Sequence, residues 1–320
     1  MSRDLKITVM LGGPSAEREV SLRSGAAVAR ALLSLGHEVH ELDPRKPGWI
    51  LPSGTDVVFL ALHGTYGEDG MVQRQLDDLG VPYTGCDAQS SRIAFDKVLT
   101  KQRFIQAGVP TARYFTVESH DATLPNDFRP PLIVKPSRQG SSVGLKFVDG
   151  VEDWQMALIE ALKFDSELLV EEKIIGRETT VGILAGEPLP VVEVRPKNGG
   201  YDYQNKYTAG CTEYFCPADF DAATTKRIQA AAVGAFKAVG GRDYARVDVM
   251  VRPDGSPVVL EVNTLPGMTE TSLLPKAAAA AGIDFPMLCQ RMLDLALARM
   301  KQGDDTVVMV AAAASSARIF

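Results

Sequence analysis

The chain has 320 residues, 45% of them apolar and 23% charged, and 34 basic against 40 acidic side chains leave a net charge of −6. That length accommodates two or three domains with their own cores, and the acidic balance argues against nucleic acid or an anionic membrane as partner, though not against a small anion on a local lysine cluster. Four cysteines without a C-x-x-C pair, a short apolar run at Ile7 to Leu11 that reads as a strand, and no run able to span a bilayer point to a soluble, cytoplasmic protein with reduced thiols. In chain order, ITVMLGG is a strand ending in glycines. A helix carrying Leu22, Ala26, Ala29 and Leu33 on one face follows and closes at Gly36, and HEVHELD is the next strand. DVVFLALHG is continuously apolar, as in a sheet covered on both faces, and GVPYTG is a short further strand. Residues 1–88 are therefore expected to form an open parallel α/β sheet. Its loops GGPSAEREVS and HGTYGEDG leave strand C-terminal ends, where such sheets bind ligands.

From about Asp87 the character changes. A helical stretch, AFDKVLTKQRFIQAG, leads through Val109 and Pro110 to strands YFTV, PLIVKPS and VGLKFV, helix VEDWQMALIEAL and strand ELLVEEKI. This pattern predicts a small α+β domain over 89–176. Residues 177–320 hold strands ETTVGILAG and PLPVVEVRP, a tyrosine-rich loop NGGYDYQNKYTAGCTEYFCP, a helix from Thr225 to Val239, and a second α+β unit's hairpin. The stretch 303–320 has no amphipathic pattern.

That hairpin, ARVDVMVRPDGSPVVLEVN, puts carboxylates into β-sequence. Val247, Val249 and Val251 alternate with Arg246, Asp248 and Met250, and Pro-Asp-Gly supplies the turn. Pairing Val251 with Val258 sets Asp248 opposite Glu261 and Arg246 opposite Asn263, all on one face. Two carboxylates about 5 Å apart repel by roughly 3 kcal/mol at an effective dielectric near 20, so something positive is expected between them. A wet, charged strand face is the plainer alternative. Yet Asp, Glu and Asn oxygens together suit a hard ion such as Mg²⁺ on a nucleotide phosphate.

A second constellation is VKPSRQGSSVG, Val134 to Gly144. Lys135 stands at a strand end, before a loop whose glycines, Ser141 and Ser142 present N–H groups and hydroxyls fit to cradle phosphate. Neither G-x-x-x-x-G-K-[ST] nor G-x-G-x-x-G occurs, and a plain hairpin turn is the alternative.

Taken together, HGTYGEDG, KPSRQGSSVG, ARVDVM, LEVNTLPGMT, GGPSAEREVSLRSG and YDYQNKY, spread over residues 5 to 300, resemble the D-alanine–D-alanine ligases of the ATP-grasp superfamily. The resemblance implies an ATP-grasp fold with ATP held between the central and C-terminal units. It implies ligation of two D-alanines through an acyl phosphate for peptidoglycan precursors, two Mg²⁺ ions (replaceable by Mn²⁺) and a homodimer. It carries Asp248, Glu261 and Asn263 over as metal ligands, and Lys97, Lys135, Ser142, Glu171 and Glu178 as nucleotide contacts. Glu17, with His63 nearby, would receive the first substrate's ammonium. Arg246 and the Gly267 amide would bind the oxyanion, while Lys206 and Ser272 would hold the second carboxylate. Tyr207, Ser141 and Glu17 would join a mobile loop, 198–211, to the substrate site; tyrosine at Tyr207 goes with D-alanine rather than D-lactate as acceptor. Without the resemblance, Glu17 reads as first-turn helix charge and His63 as a packing or capping residue. Another ATP-grasp carboxylate–amine ligase, or a nucleotide-binding module without turnover, are the competing functions. The zwitterion-reading set Glu17, Lys206, Tyr207 and Ser272 speaks against the first, and the intact Arg246, Asp248, Glu261 and Asn263 against the second.

Overall fold

In the computed structural model, which describes residues 4–196 and 212–299, strand β1 (Lys6–Met10) lies between β2 (Glu38–Leu42) and β3 (Val57–Leu60). All three run parallel in the order β2-β1-β3. The further strand expected at GVPYTG is reduced to one parallel bridge, Val58 to Tyr83. Helix α1 (Arg18–Ser34) follows β1 and buries Ser21, Ser24, Gly25, Ala27, Val28, Ala29, Ala31 and Leu32, while Leu33 is 55% exposed. Of the expected face, Ala29 is buried and Leu22 packs half-buried on the same core, whereas Leu33 is turned out, so the buried face is shifted toward the serines. The reason is polar satisfaction: Ser21 Oγ donates to Ala61 O at 2.7 Å and accepts from Gly12 N at 2.8 Å. Buried hydroxyls so paired carry no penalty, and Gly25 lets the helix approach so closely that a Cβ there would overlap Leu11.

Helix α2 (Met71–Leu79) covers the opposite face of this sheet, packing Val72 and Leu76 with Met10, Val58 and Leu60. The stretch expected as one helix after residue 87 is two, α3 (Ala88–Phe95) and α4 (Lys97–Gln106). Asp96 breaks it, with extended backbone and a carboxylate that accepts from Val98 N and Leu99 N at 3.0 Å, an N-cap. Four strands then form an antiparallel sheet in the order β4-β7-β5-β6: β4 (Tyr114–Val117), β5 (Leu132–Pro136), β6 (Lys146–Val148) and β7 (Leu168–Glu172). Helix α5 (Trp154–Ala161) buries Trp154, Ala157, Leu158 and Ala161 against it.

The third sheet is antiparallel. Strands β8 (Arg177–Leu184), β10 (Val192–Pro196), β11 (Thr212–Phe215), β12 (Tyr244–Val251) and β13 (Pro257–Asn263) take the order β11-β10-β8-β12-β13, with the short β9 (Glu187–Pro188) beside β8. Helix α6 (Ala222–Ala238), capped by Asp221, packs Ile228, Ala232 and Phe236 on the valines of β12. After β13 come α7 (Leu273–Ala280) and the helical residues 285–299, here α8. Although they end the third sequence unit, Leu288, Cys289, Met292, Leu293 and Ala296 belong to the core of Ile7, Val9 and Phe59. His37 Nε2 lies 2.7 Å from Gln290 Oε1 at that contact.

Candidate active site

The hairpin β12–β13 pairs Asp248 with Glu261 and Arg246 with Asn263, the juxtaposition expected from the sequence. The route to it differs. Val251 pairs with Pro257, not Val258, and a bulge at Leu260 restores the register between Val249 and Asp248. Arg246 and Asp248 share a strand face, and the guanidinium forks onto the carboxylate, Nε to Oδ1 and Nη2 to Oδ2, both 2.9 Å. Thr180 Oγ donates to Asp248 Oδ1 at 2.6 Å, and Asn263 Nδ2 lies 3.2 Å from Asp248 Oδ2 and 3.5 Å from Glu261 Oε1. The positive charge demanded by the paired acids is therefore Arg246 at their flank, with the Asn263 amide dipole between them.

Among the described residues no three His, Cys, Asp or Glu side chains converge as a metal cage. Two facing carboxylates with an amide suit Mg²⁺, which keeps waters and takes further oxygens from phosphate. Half a turn of the Asn263 amide puts its oxygen where its nitrogen stands, completing an all-oxygen donor set. The residues present fit the ion.

Facing the hairpin, Glu171 on β7 is buried between Lys101 of α4 and Lys135 of β5, forming ion pairs with both. Burial alone pushes its carboxyl up, but the two ammonium groups hold it at about 2. Burial likewise lowers Lys97 and Lys101. Lys135, which burial would also lower, is instead raised by Glu171, Glu261 and Glu178. The Asp96 cap fixes Lys97 at the first position of α4, and its Nζ donates to Gln139 O at 2.6 Å inside the serine loop. That loop is braced from behind. Arg138 Nη2 donates to Asp165 Oδ1 at 2.6 Å, and Ser137 N to Glu167 O at 3.0 Å. Ser141 and Ser142 both have left-handed backbone, φ +50° and +59°, the turn of successive amides that makes an anion-binding concavity.

Ser141 Oγ donates to Glu17 Oε1, the residue preceding α1. Glu17 is wedged between two backbones: a Cβ on Gly64 would come 2.9 Å from Glu17 Oε2, and one on Gly140 2.5 Å. His63, at the end of the third strand's run, is buried with Nδ1 3.0 Å from Leu265 O and Nε2 3.2 Å from Ser24 Oγ. Burial, with Arg246 nearby, lowers it to about 4 and keeps the imidazole neutral. Ser272, at the head of α7, accepts the Thr269 N–H at 3.1 Å.

A cavity of about 470 Å³ joins these groups. Glu17, His63, Lys97, Ser141, Arg246, Glu261, Asn263, Gly267 and Ser272 all line it. Asp248 and Glu171 stand behind this lining in the contacts above, and Glu178 pairs with Val194 on β10 and Met250 on β12. Ser142 does not line the cavity. Lys206 and Tyr207 lie outside the described residues. Sequence reasoning missed Glu68, Tyr214, Lys101 and Thr180. Glu68 lines the cavity, and its carboxyl is pushed up to about 8, first by burial and then by Glu17. It lay in plain view in HGTYGEDG. Lys101 is one helical turn from Lys97 and so was readable as the same face, whereas Thr180 and Tyr214 carry no signal in sequence.

Two antiparallel sheets that face each other across a lysine- and carboxylate-lined cleft, behind a parallel α/β unit, define the ATP-grasp class of fold. The family models described as D-ala D-ala ligase N-terminus and D-ala D-ala ligase C-terminus match residues 49–86 and 104–294. The chain belongs to the D-alanine–D-alanine ligase family and is a ligase.

Among its relatives, a D-alanine–D-alanine ligase of Methylacidiphilum infernorum (isolate V4) is 46% identical over 295 residues, 92% of this chain and 96% of that protein. One from Aquifex aeolicus (strain VF5) is 46% identical over 287 residues, 89% and 98%. The solved structure of the Bacillus anthracis D-alanine–D-alanine ligase complexed with ATP superposes with a TM-score of 0.83 at 35% identity, covering 94% of this chain and all of that one.

Proposed function

We propose that this chain condenses two D-alanine molecules into D-alanyl-D-alanine for peptidoglycan precursor synthesis, converting ATP to ADP and phosphate through an acyl phosphate. The observation that carries this reading is the convergence of three unlike groups on one cavity: the Glu17–Ser141 pair, the Arg246–Gly267 region, and Glu261 with Asn263 of the hairpin, behind which Asp248 stands. Glu17 receives the donor's ammonium, oriented by Ser141. The donor carboxylate attacks the γ-phosphorus, and Lys97 and Lys135 offset the charge that develops. When bound at Asp248, Glu261 and Asn263, Mg²⁺ (or Mn²⁺) supplies the remaining positive charge at the phosphates. Glu178 takes the ribose, and Glu171, held by two lysines, keeps oxygen lone pairs for the adenine amino group, while Ser142 adds a hydroxyl to the phosphate loop.

The acceptor's amine then attacks the acyl carbon and phosphate leaves. Arg246 and the Gly267 N–H stabilise the tetrahedral oxyanion; one such donor contributes about 3 kcal/mol. Ser272, with Lys206, holds the acceptor carboxylate, and Tyr207 completes the set with Ser141 and Glu17. The reading includes division at 88/89 and 176/177, a homodimer and a cytoplasmic location; among the described residues no helix is long and apolar enough to cross a membrane.

Product analysis with D-alanine, D-serine and D-lactate offered together, with ATP and Mg²⁺, tests it. Expected are D-alanyl-D-alanine as the main product and phosphate release only when D-alanine is present. Phosphate release indifferent to D-alanine, or an ester as main product, overturns it. Pairing Asp248→Asn with Glu261→Gln should abolish the dependence of nucleotide affinity on Mg²⁺.

A further inference from the structure

Glu68 has no part in the reaction as derived, yet its contacts converge on the donor end of the cavity. Its side chain accepts the Gly64 N–H at Oε2, 2.9 Å, while its own N–H donates to Gly64 O at 2.9 Å. This reciprocal pair closes a tight ring over residues 64–68. Gly64 needs that restraint. It has left-handed backbone, φ +68°, and its Cα faces Glu17 Oε2 so closely that no side chain fits between them. On the other side Glu17 meets Gly140, whose added Cβ would lie 3.9 Å from Gly64 Cα. The Glu17 carboxylate thus sits in a slot with two backbone walls. Loop contacts from Gln73 and Asp69 go to Gly67 O and Tyr66 N instead, so among the described residues Glu68 is the side chain that bonds the Gly64 amide.

We propose that Glu68 is a positioning residue: through the Gly64 amide it fixes the wall that aims the Glu17 carboxylate at the donor ammonium. The role is built on a hydrogen-bond acceptor at the right reach, not on a negative charge. It rests on the reading of Glu17 as the ammonium receptor.

Four full-length variants test it, by initial rates over a D-alanine range wide enough to resolve donor and acceptor KM. Glu68→Ala removes the acceptor, and Glu68→Asp withdraws it by one methylene. Both should raise donor KM about tenfold with acceptor KM within twofold. Glu68→Gln keeps an oxygen for Gly64 N–H and should stay within about threefold of the parent. Should Glu68→Ala not fold, Glu68→Asp and Glu68→Gln decide the question. Equal rises in both KM values, no rise, or Glu68→Gln as impaired as Glu68→Asp would each overturn the proposal. Glu17→Gln separates the two layers. If it leaves donor KM unchanged, the Glu17 reading fails; if it raises donor KM while Glu68→Asp does not, only the Glu68 proposal fails.

Discussion

Ser24 of α1 and His63 meet with Ser24 Oγ 3.2 Å from His63 Nε2, and the same hydroxyl accepts the Met268 N–H at 3.1 Å. The serine proton therefore points to the ring, and the ring's own proton sits on Nδ1 toward Leu265 O, a tautomer assigned from this network. One neutral imidazole ties the first strand unit to the loop after β13.

That neutrality has a pH signature. The His63 pKa lies at 6.5 in an unfolded chain and at about 4 in the fold, so as pH falls the unfolded chain binds the proton first. The contribution is fully present above pH 6.5 and is lost as pH drops toward 4, amounting to about 3 kcal/mol in total. Urea unfolding at pH 7.5 and 4.5 should show the parent losing about 2 kcal/mol more than His63→Gln. Equal losses would refute it.

Arg246→Ala removes the fork on Asp248 and the oxyanion donor together. Turnover should fall at least 100-fold, in line with about 3 kcal/mol, with ATP KM within threefold. Arg246→Lys should restore little, because a single ammonium cannot reproduce two parallel N–H bonds. Unchanged turnover in steady-state assays would remove Arg246 from the oxyanion role.

Gly25→Ala should destabilise the protein by at least 1–3 kcal/mol, the usual cost of overpacking, because the new methyl overlaps Leu11. Adding Leu11→Gly, which removes the Cβ that the new methyl meets first, should recover part of that loss relative to Leu11→Gly alone, and a double-mutant cycle by thermal melting would show the coupling. Additive losses would place the strain elsewhere.

Asp96→Ala deletes a cap that serves two amides and should cost about 1 kcal/mol of stability. It should also raise ATP KM several-fold, since the cap sets where Lys97 begins its helix. Stability loss with unchanged ATP KM would confine Asp96 to folding.

Much of this was legible in the sequence because alternation and turn chemistry are local. Asp248 faces Glu261 as the strand period required, yet the assumed Val251–Val258 pair does not exist; the Leu260 bulge that corrects the count leaves no mark on a period of two. The α1 face was misread in part because Ser21, Ser24 and Gly25 are buried beside Val28 and Leu32, and the fitness of those serines for burial depends on partners at Gly12, Ala61 and His63. Asp96 as a helix breaker was readable from its cap chemistry. The Lys101–Glu171–Lys135 cluster was not, since it joins a helix to two strands that only the tertiary fold brings together.

Helix α8 lends Leu288, Met292 and Leu293 to the core begun by Ile7 and Val9. The opening sheet therefore emerges from the ribosome with part of one side bare and waits for nearly the entire polypeptide before its shelter arrives. Over that interval the nascent chain is a natural client for a chaperone.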